Sequence, residues 1–90
     1  MGTAIIKMKI MPTSPDVDLG PIEEKAKEII SKDTPSQIQS EQEPIAFGLK
    51  ALILTFTWDE DKSADEMEEA LRTIENVKSA EVIDMRRAFG

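Results

Sequence analysis

Apolar and polar positions alternate from Ala4 to Met11, so that Ile6, Met8 and Ile10 share one face and Lys7 and Lys9 the other. A period of two with lysines on one side predicts a β-strand with one wet face. The next patterned stretch changes period. Ile22, Ala26, Ile29 and Ile30 recur at helical spacing, with Glu23, Glu24, Lys25, Lys27 and Glu28 filling the outside. Gly20-Pro21 stands just before it, and proline at the first helical position gives up no hydrogen bond. A helix is therefore predicted over about Pro21 to Lys32, with Pro35 closing it. Ser36 to Glu43 is polar apart from Ile38 and predicts an edge strand, with Ile45 the next apolar residue. Leu49 to Trp58 carries the strongest strand pattern, placing Leu52, Leu54, Phe56 and Trp58 on one face of a central strand. Phe47-Gly48 between these two segments predicts a turn or bulge. Ser63-Ala64-Asp65-Glu66 has the form of a capping box, and Met67, Ala70, Leu71 and Ile74 follow on one helical face. This predicts a second helix over about Ala64 to Asn76. Val77 to Phe89 mixes Val82, Ile83 and Met85 with charge and predicts a last strand whose end carries Arg86 and Arg87.

The order β-α-β-β-α-β predicts an α+β ferredoxin-like plait, a four-stranded antiparallel sheet with two helices on one face and water on the other. Ninety residues suit one domain spanning 1–90. Such a fold hosts many unrelated activities and supplies none by itself.

Composition narrows the chemistry. The chain has no cysteine and no histidine, which removes thiol nucleophiles, zinc-thiolate sites and the commonest acid-base side chain near neutral pH. A formal net charge of −7 repels phosphate backbones and argues against direct nucleic-acid binding. Strand aromatics of the kind that stack RNA bases are also missing, since the chain has three phenylalanines, one tryptophan and no tyrosine. No apolar run approaches the length of a membrane span, and Lys7 interrupts the N-terminal segment before a signal sequence can develop, so a cytoplasmic location is expected. The acidic run Asp59-Glu60-Asp61 fails as a calcium loop. Counting from Asp59, Ala64 falls where the turn glycine belongs and Ala70 where the bidentate glutamate belongs. No glycine-rich phosphate loop is present, and the carboxylates Asp65, Glu66, Glu68, Glu69 and Glu75 read as the charged outer face of a helix. Arg86-Arg87 is the one concentrated positive feature; by composition alone it could be an ordinary basic chain end.

The stretch Glu43-Pro44-Ile45-Ala46-Phe47-Gly48-Leu49-Lys50-Ala51-Leu52, followed by Asp59-Glu60-Asp61 and Met85-Arg86-Arg87, resembles the guanine nucleotide exchange domain of translation elongation factor 1-beta, its short archaeal form most of all. The resemblance covers essentially the whole chain. Its most specific part, Pro44 to Lys50, resembles the family's pattern of proline, isoleucine, small residue, aromatic, glycine, aliphatic and lysine. It implies a factor that promotes GDP release and GTP loading on the GTPase elongation factor 1-alpha by protein contact, with no cofactor and no covalent chemistry. In that family a C-terminal lysine intrudes near the magnesium and phosphate site of the GTPase, and Arg87 matches its position. The resemblance further implies partner contacts at Arg86, Lys9, Gln42, Pro44 and Lys50, and a monomer when free. Arginine is a planar fork where the family lysine is a compact charge, and Gln42 is a polar side chain two residues before the proline. The competing reading is a ferredoxin-like regulatory module that binds a small ligand or pairs with itself through its weak edge strand.

Overall fold

The alternating N-terminal segment forms β1, Thr3–Pro12, with Ala4, Ile6, Met8 and Ile10 buried and at most 3% exposed. The computed structural model describes residues 2–32, 34 and 37–87. The expected helix stop at Pro35, the strand start at Ser36 and the last strand residues beyond Arg87 lie outside them. Along the chain follow α1, Leu19–Ser31; β2, Gln39–Pro44; a short 3-10 turn, Ala46–Gly48; β3, Lys50–Asp59; α2, Asp65–Arg72; and β4, Val77–Arg87. The strands form one antiparallel sheet in the order β2-β3-β1-β4. This is the ferredoxin-like arrangement, with β1 and β3 central and β2 at an edge, as expected. Leu52, Leu54, Phe56 and Trp58 of β3 meet the buried residues of β1, and α1 and α2 cover that face with Leu19, Ile22, Ala26, Ile30, Met67 and Leu71.

Both helices differ from their expected bounds, for local reasons. The first begins two residues before Pro21, because the Asp18 carboxylate accepts a hydrogen bond from the Gly20 N–H at 3.0 Å and caps the helix there. Leu19 thereby joins the core, and Pro21 sits in the first turn, where no intrahelical partner for an N–H exists. Asp18→Ala should cost about 1 kcal/mol and lower Tm by roughly 5 °C in thermal unfolding. The second helix stops four residues short of Asn76. The Thr73 hydroxyl donates to the Ala70 carbonyl at 2.6 Å, and Asn76 adopts φ 70°, a left-handed conformation that asparagine tolerates better than most residues. At its start the Ser63 hydroxyl accepts from the Asp65 N–H at 3.2 Å, and Asp65, Glu66 and Glu68 place negative charge in the first turn.

Two details of β4 escape a period-two count. Lys7 pairs with Asp84 and Met8 with Val82, so Ile83 is an extra residue and the side-chain alternation reverses beyond it. Arg87, opposite the buried Ala4, therefore points to the helix side of the sheet, and Arg86, opposite Ile5, to the open side. The outer edge of β4 is occupied from within the domain: the Val82 N–H donates to the Glu68 carboxylate at 3.0 Å, and Arg72 Nε donates to the Ala80 carbonyl at 3.2 Å. The open face also departs from expectation. Lys7, Lys9 and Thr55 lie on it, but so do Ile53, only 3% exposed, and the part-exposed Ile5 and Ile83. Ile53 lies between Lys9 and Glu41 in register, long side chains whose stems can cover an apolar neighbour.

Candidate functional site

The expected contact residues do not form one cluster. They occupy the two ends of the sheet and a point between. Lys50 and Asp59 bound β3, and nine residue steps of extended chain separate the ends by about 30 Å.

At one end, β4 delivers Arg86 and Arg87, and the turn after β3 delivers Glu60. Arg87 Nε lies 3.1 Å and Nη2 3.5 Å from the two Glu60 carboxylate oxygens, while Arg86 Nε donates to Asp84 at 2.9 Å. Both arginines therefore rest on the domain's own carboxylates, yet their side chains remain 63% and 79% exposed. Exposed pairs of this kind are typically worth less than about 1 kcal/mol, so they hold the guanidinium groups without sequestering them. The turn beneath is braced. Lys62 N–H donates to the Asp59 carbonyl at 3.0 Å, Asp61 N–H to the Asp59 carboxylate at 3.0 Å, and the buried Trp58 donates its ring N–H to the Lys62 carbonyl at 3.1 Å. The acidic run is thus a folded turn anchored on a core tryptophan. Among the described residues no group of three or more histidines, cysteines or acidic residues is placed to hold a metal ion.

At the other end, Pro44 and Lys50 face each other across β2 and β3, both exposed. Proline suits an edge strand because it donates nothing to the ladder. Gln42 and Lys50 line a shallow cleft of about 210 Å³ with Pro15 and Asp18. Beyond it the chain reverses through Ala46–Gly48, clasped by the Ile45 N–H on the Leu49 carbonyl at 2.7 Å. Phe47 takes φ 63° and Gly48 φ 79°, and the Phe47 ring is 93% exposed. A left-handed conformation at a non-glycine residue costs of order 1 kcal/mol or more, and here it holds an aromatic ring out in water. Phe47 was absent from the expected contact residues. The signal that could have placed it there is an aromatic beside glycine inside a tight reversal, where no core position exists. Lys9 stands apart from both ends, half-buried on the open face between Ile53 and Glu81.

Residues 5–88 match the family model described as the EF-1 guanine nucleotide exchange domain. The chain belongs to that family. Among curated relatives, it is 42% identical over 88 residues to elongation factor 1-beta of Methanosarcina barkeri, covering 97% of this chain and 99% of the relative. It is 40% identical over 88 residues to the elongation factor 1-beta of Methanothermobacter thermautotrophicus, covering 97% and 98%. It is 38% identical over 86 residues to that of Methanococcus maripaludis, covering 94% and 97%. These matches agree with the resemblance carried by Pro44 to Lys50, and they support a guanine nucleotide exchange role in translation elongation. The exposed arginines lie at one end of the sheet and the exposed Phe47 and Lys50 at the other, and among the described residues no helix is long and apolar enough to cross a membrane.

Proposed function

We propose that this exchange domain accelerates GDP release from, and GTP loading on, elongation factor 1-alpha, with Arg87 as the cation presented to the magnesium and phosphate side of the bound nucleotide. The observation that carries the reading is Arg87 itself, at the family's C-terminal basic position, exposed at the end of a strand paired along its length with the sheet. A positive group brought near the magnesium competes with the metal for the phosphates, and that competition weakens GDP without making or breaking a covalent bond. Linkage then runs both ways: a factor that weakens nucleotide binding is itself weakened by nucleotide to the same degree, so incoming GTP expels it.

Contacts about 30 Å apart suit a partner large enough to span the domain's long dimension of 41 Å. Phe47 anchors the second contact, since an exposed aromatic on a rigid turn is the side chain most able to carry docking energy. Gln42, Pro44 and Lys50 flank it; Arg86 adds a second cation on the other side of β4, and Lys9 adds charge on the open face. Phe47→Ala should leave Tm nearly unchanged and cost about 2 kcal/mol of docking, roughly thirtyfold in Kd by titration with the GTPase. The free domain is a monomer in this reading, consistent with the outer edge of β4 being bonded to Glu68 and Arg72.

The test is release of fluorescent GDP from the cognate GTPase with and without this protein. Acceleration is expected; an unchanged rate would refute the reading.

A further inference from the structure

Glu60 has no role in the reading above, yet both its backbone and its carboxylate are held in place. Its N–H donates to the Gly2 carbonyl at 3.1 Å, tying the turn after β3 to the start of β1. Its side chain is 26% exposed, against 63% for the Arg87 side chain it holds. The Trp58 ring N–H and the Asp59 carbonyl brace the turn from within. Gly2 leaves the room required: a Cβ at that position would collide with the Glu60 carboxylate. A larger residue there would have to displace that flexible side chain.

The grip is directional. Nε and Nη2 of Arg87 both face Glu60, which uses the side-on edge of the guanidinium. A guanidinium has five N–H donors in a planar fork, so the end-on edge formed by Nη1 and the second Nη2 hydrogen stays available to another oxyanion. A lysine has no such second edge; an arginine can be held by one carboxylate and still engage phosphate or a metal-binding carboxylate with the other side. The β4 bulge at Ile83 contributes by turning Arg87 to the side of the sheet where Glu60 lies.

We propose that Glu60 is a positioning residue for Arg87, orienting its guanidinium so that the end-on edge meets the partner already ordered. This inference rests on the exchange reading above and deepens it. Ordering a long side chain on binding is costly, and a contact that orders it beforehand should improve stimulated exchange about three- to tenfold.

The experiment measures fluorescent GDP release from the cognate GTPase with four proteins: the unmutated chain, Glu60→Gln, Arg87→Ala and the double variant. Glu60→Gln is expected to slow stimulated release three- to tenfold when Arg87 is present and to have no further effect in the Arg87→Ala background. Side-chain NMR of the isolated domain should show protection of the Arg87 Nε proton from exchange with water, lost in Glu60→Gln, with Tm unchanged. Equal slowing in both backgrounds would mean a general structural role, and faster release with Glu60→Gln would mean that Glu60 restrains Arg87; either overturns the proposal. If the unmutated protein does not stimulate release at all, the exchange reading itself fails. Stimulation by the unmutated protein with no loss in Glu60→Gln sinks the positioning role alone.

Discussion

Arg87→Ala is expected to slow stimulated GDP release by roughly 30- to 150-fold while leaving the fold intact. The magnitude follows from the loss of one hydrogen bond to a charged group, about 2–3 kcal/mol, expressed in the rate. The fold should survive because the Arg87 side chain is 63% exposed and its pair with Glu60 is a surface pair. Circular dichroism and Tm should therefore match the unmutated protein within about 2 °C, and only the exchange assay should change. Arg87→Lys keeps the charge and loses the fork, and should fall between the two. A variant as active as the unmutated chain would remove Arg87 from the mechanism and leave the proposal resting on the exposed Phe47 end.

The largest effect on stability is expected at Leu54. It is fully buried at the centre of β3, between Met8 of β1 and Ser40 of β2 in register and beneath the helices. Leu54→Ala removes apolar contact and leaves a cavity, at a cost of about 3 kcal/mol and a fall in Tm of roughly 10–20 °C. Domains of this size have only about 5–15 kcal/mol in total. Thr55, one residue along and on the open face, is the internal control: Thr55→Ala should cost less than about 1 kcal/mol. Chemical denaturation of both variants checks the pair, and similar losses would contradict the assigned faces.

How far the sequence could be read depended on the range of the interaction involved. Strand β3 was legible because Leu52, Leu54, Phe56 and Trp58 mark a face by period alone, and the same holds for β1. The start of α1 lies upstream of its proline signal, because the Asp18 cap stands three residues before Pro21. The end of α2 falls short of Asn76 although Ile74 fits helical spacing: Ile74 is buried one residue beyond the Thr73 cap, and Asn76 in its left-handed conformation then turns the chain into β4. The bulge at Ile83 was invisible because register with β1 depends on a strand more than seventy residues away in sequence. The open face read as wet because Lys7 and Lys9 are polar by name, whereas their stems are not.

The candidate site was legible as a set of residue types and not as a shape. Pro44, Lys50, Arg86 and Arg87 could each be marked by resemblance, but their division between two ends of the sheet follows from antiparallel pairing. Glu60 and Gly2 could not be connected with Arg87 by spacing, because three separate elements bring them together.

Glu68 and Arg72 have one more effect, at the scale of many molecules. A sheet can lengthen into a fibre only if each copy offers an unpaired border on both sides, one to receive a strand and one to pass the pattern on. In this domain the β4 border already bonds Arg72 and Glu68 at Ala80 and Val82, and among the described residues β2 is the opposite border of the sheet. Association through β2 alone would pair two molecules edge to edge and stop there, a self-limiting outcome.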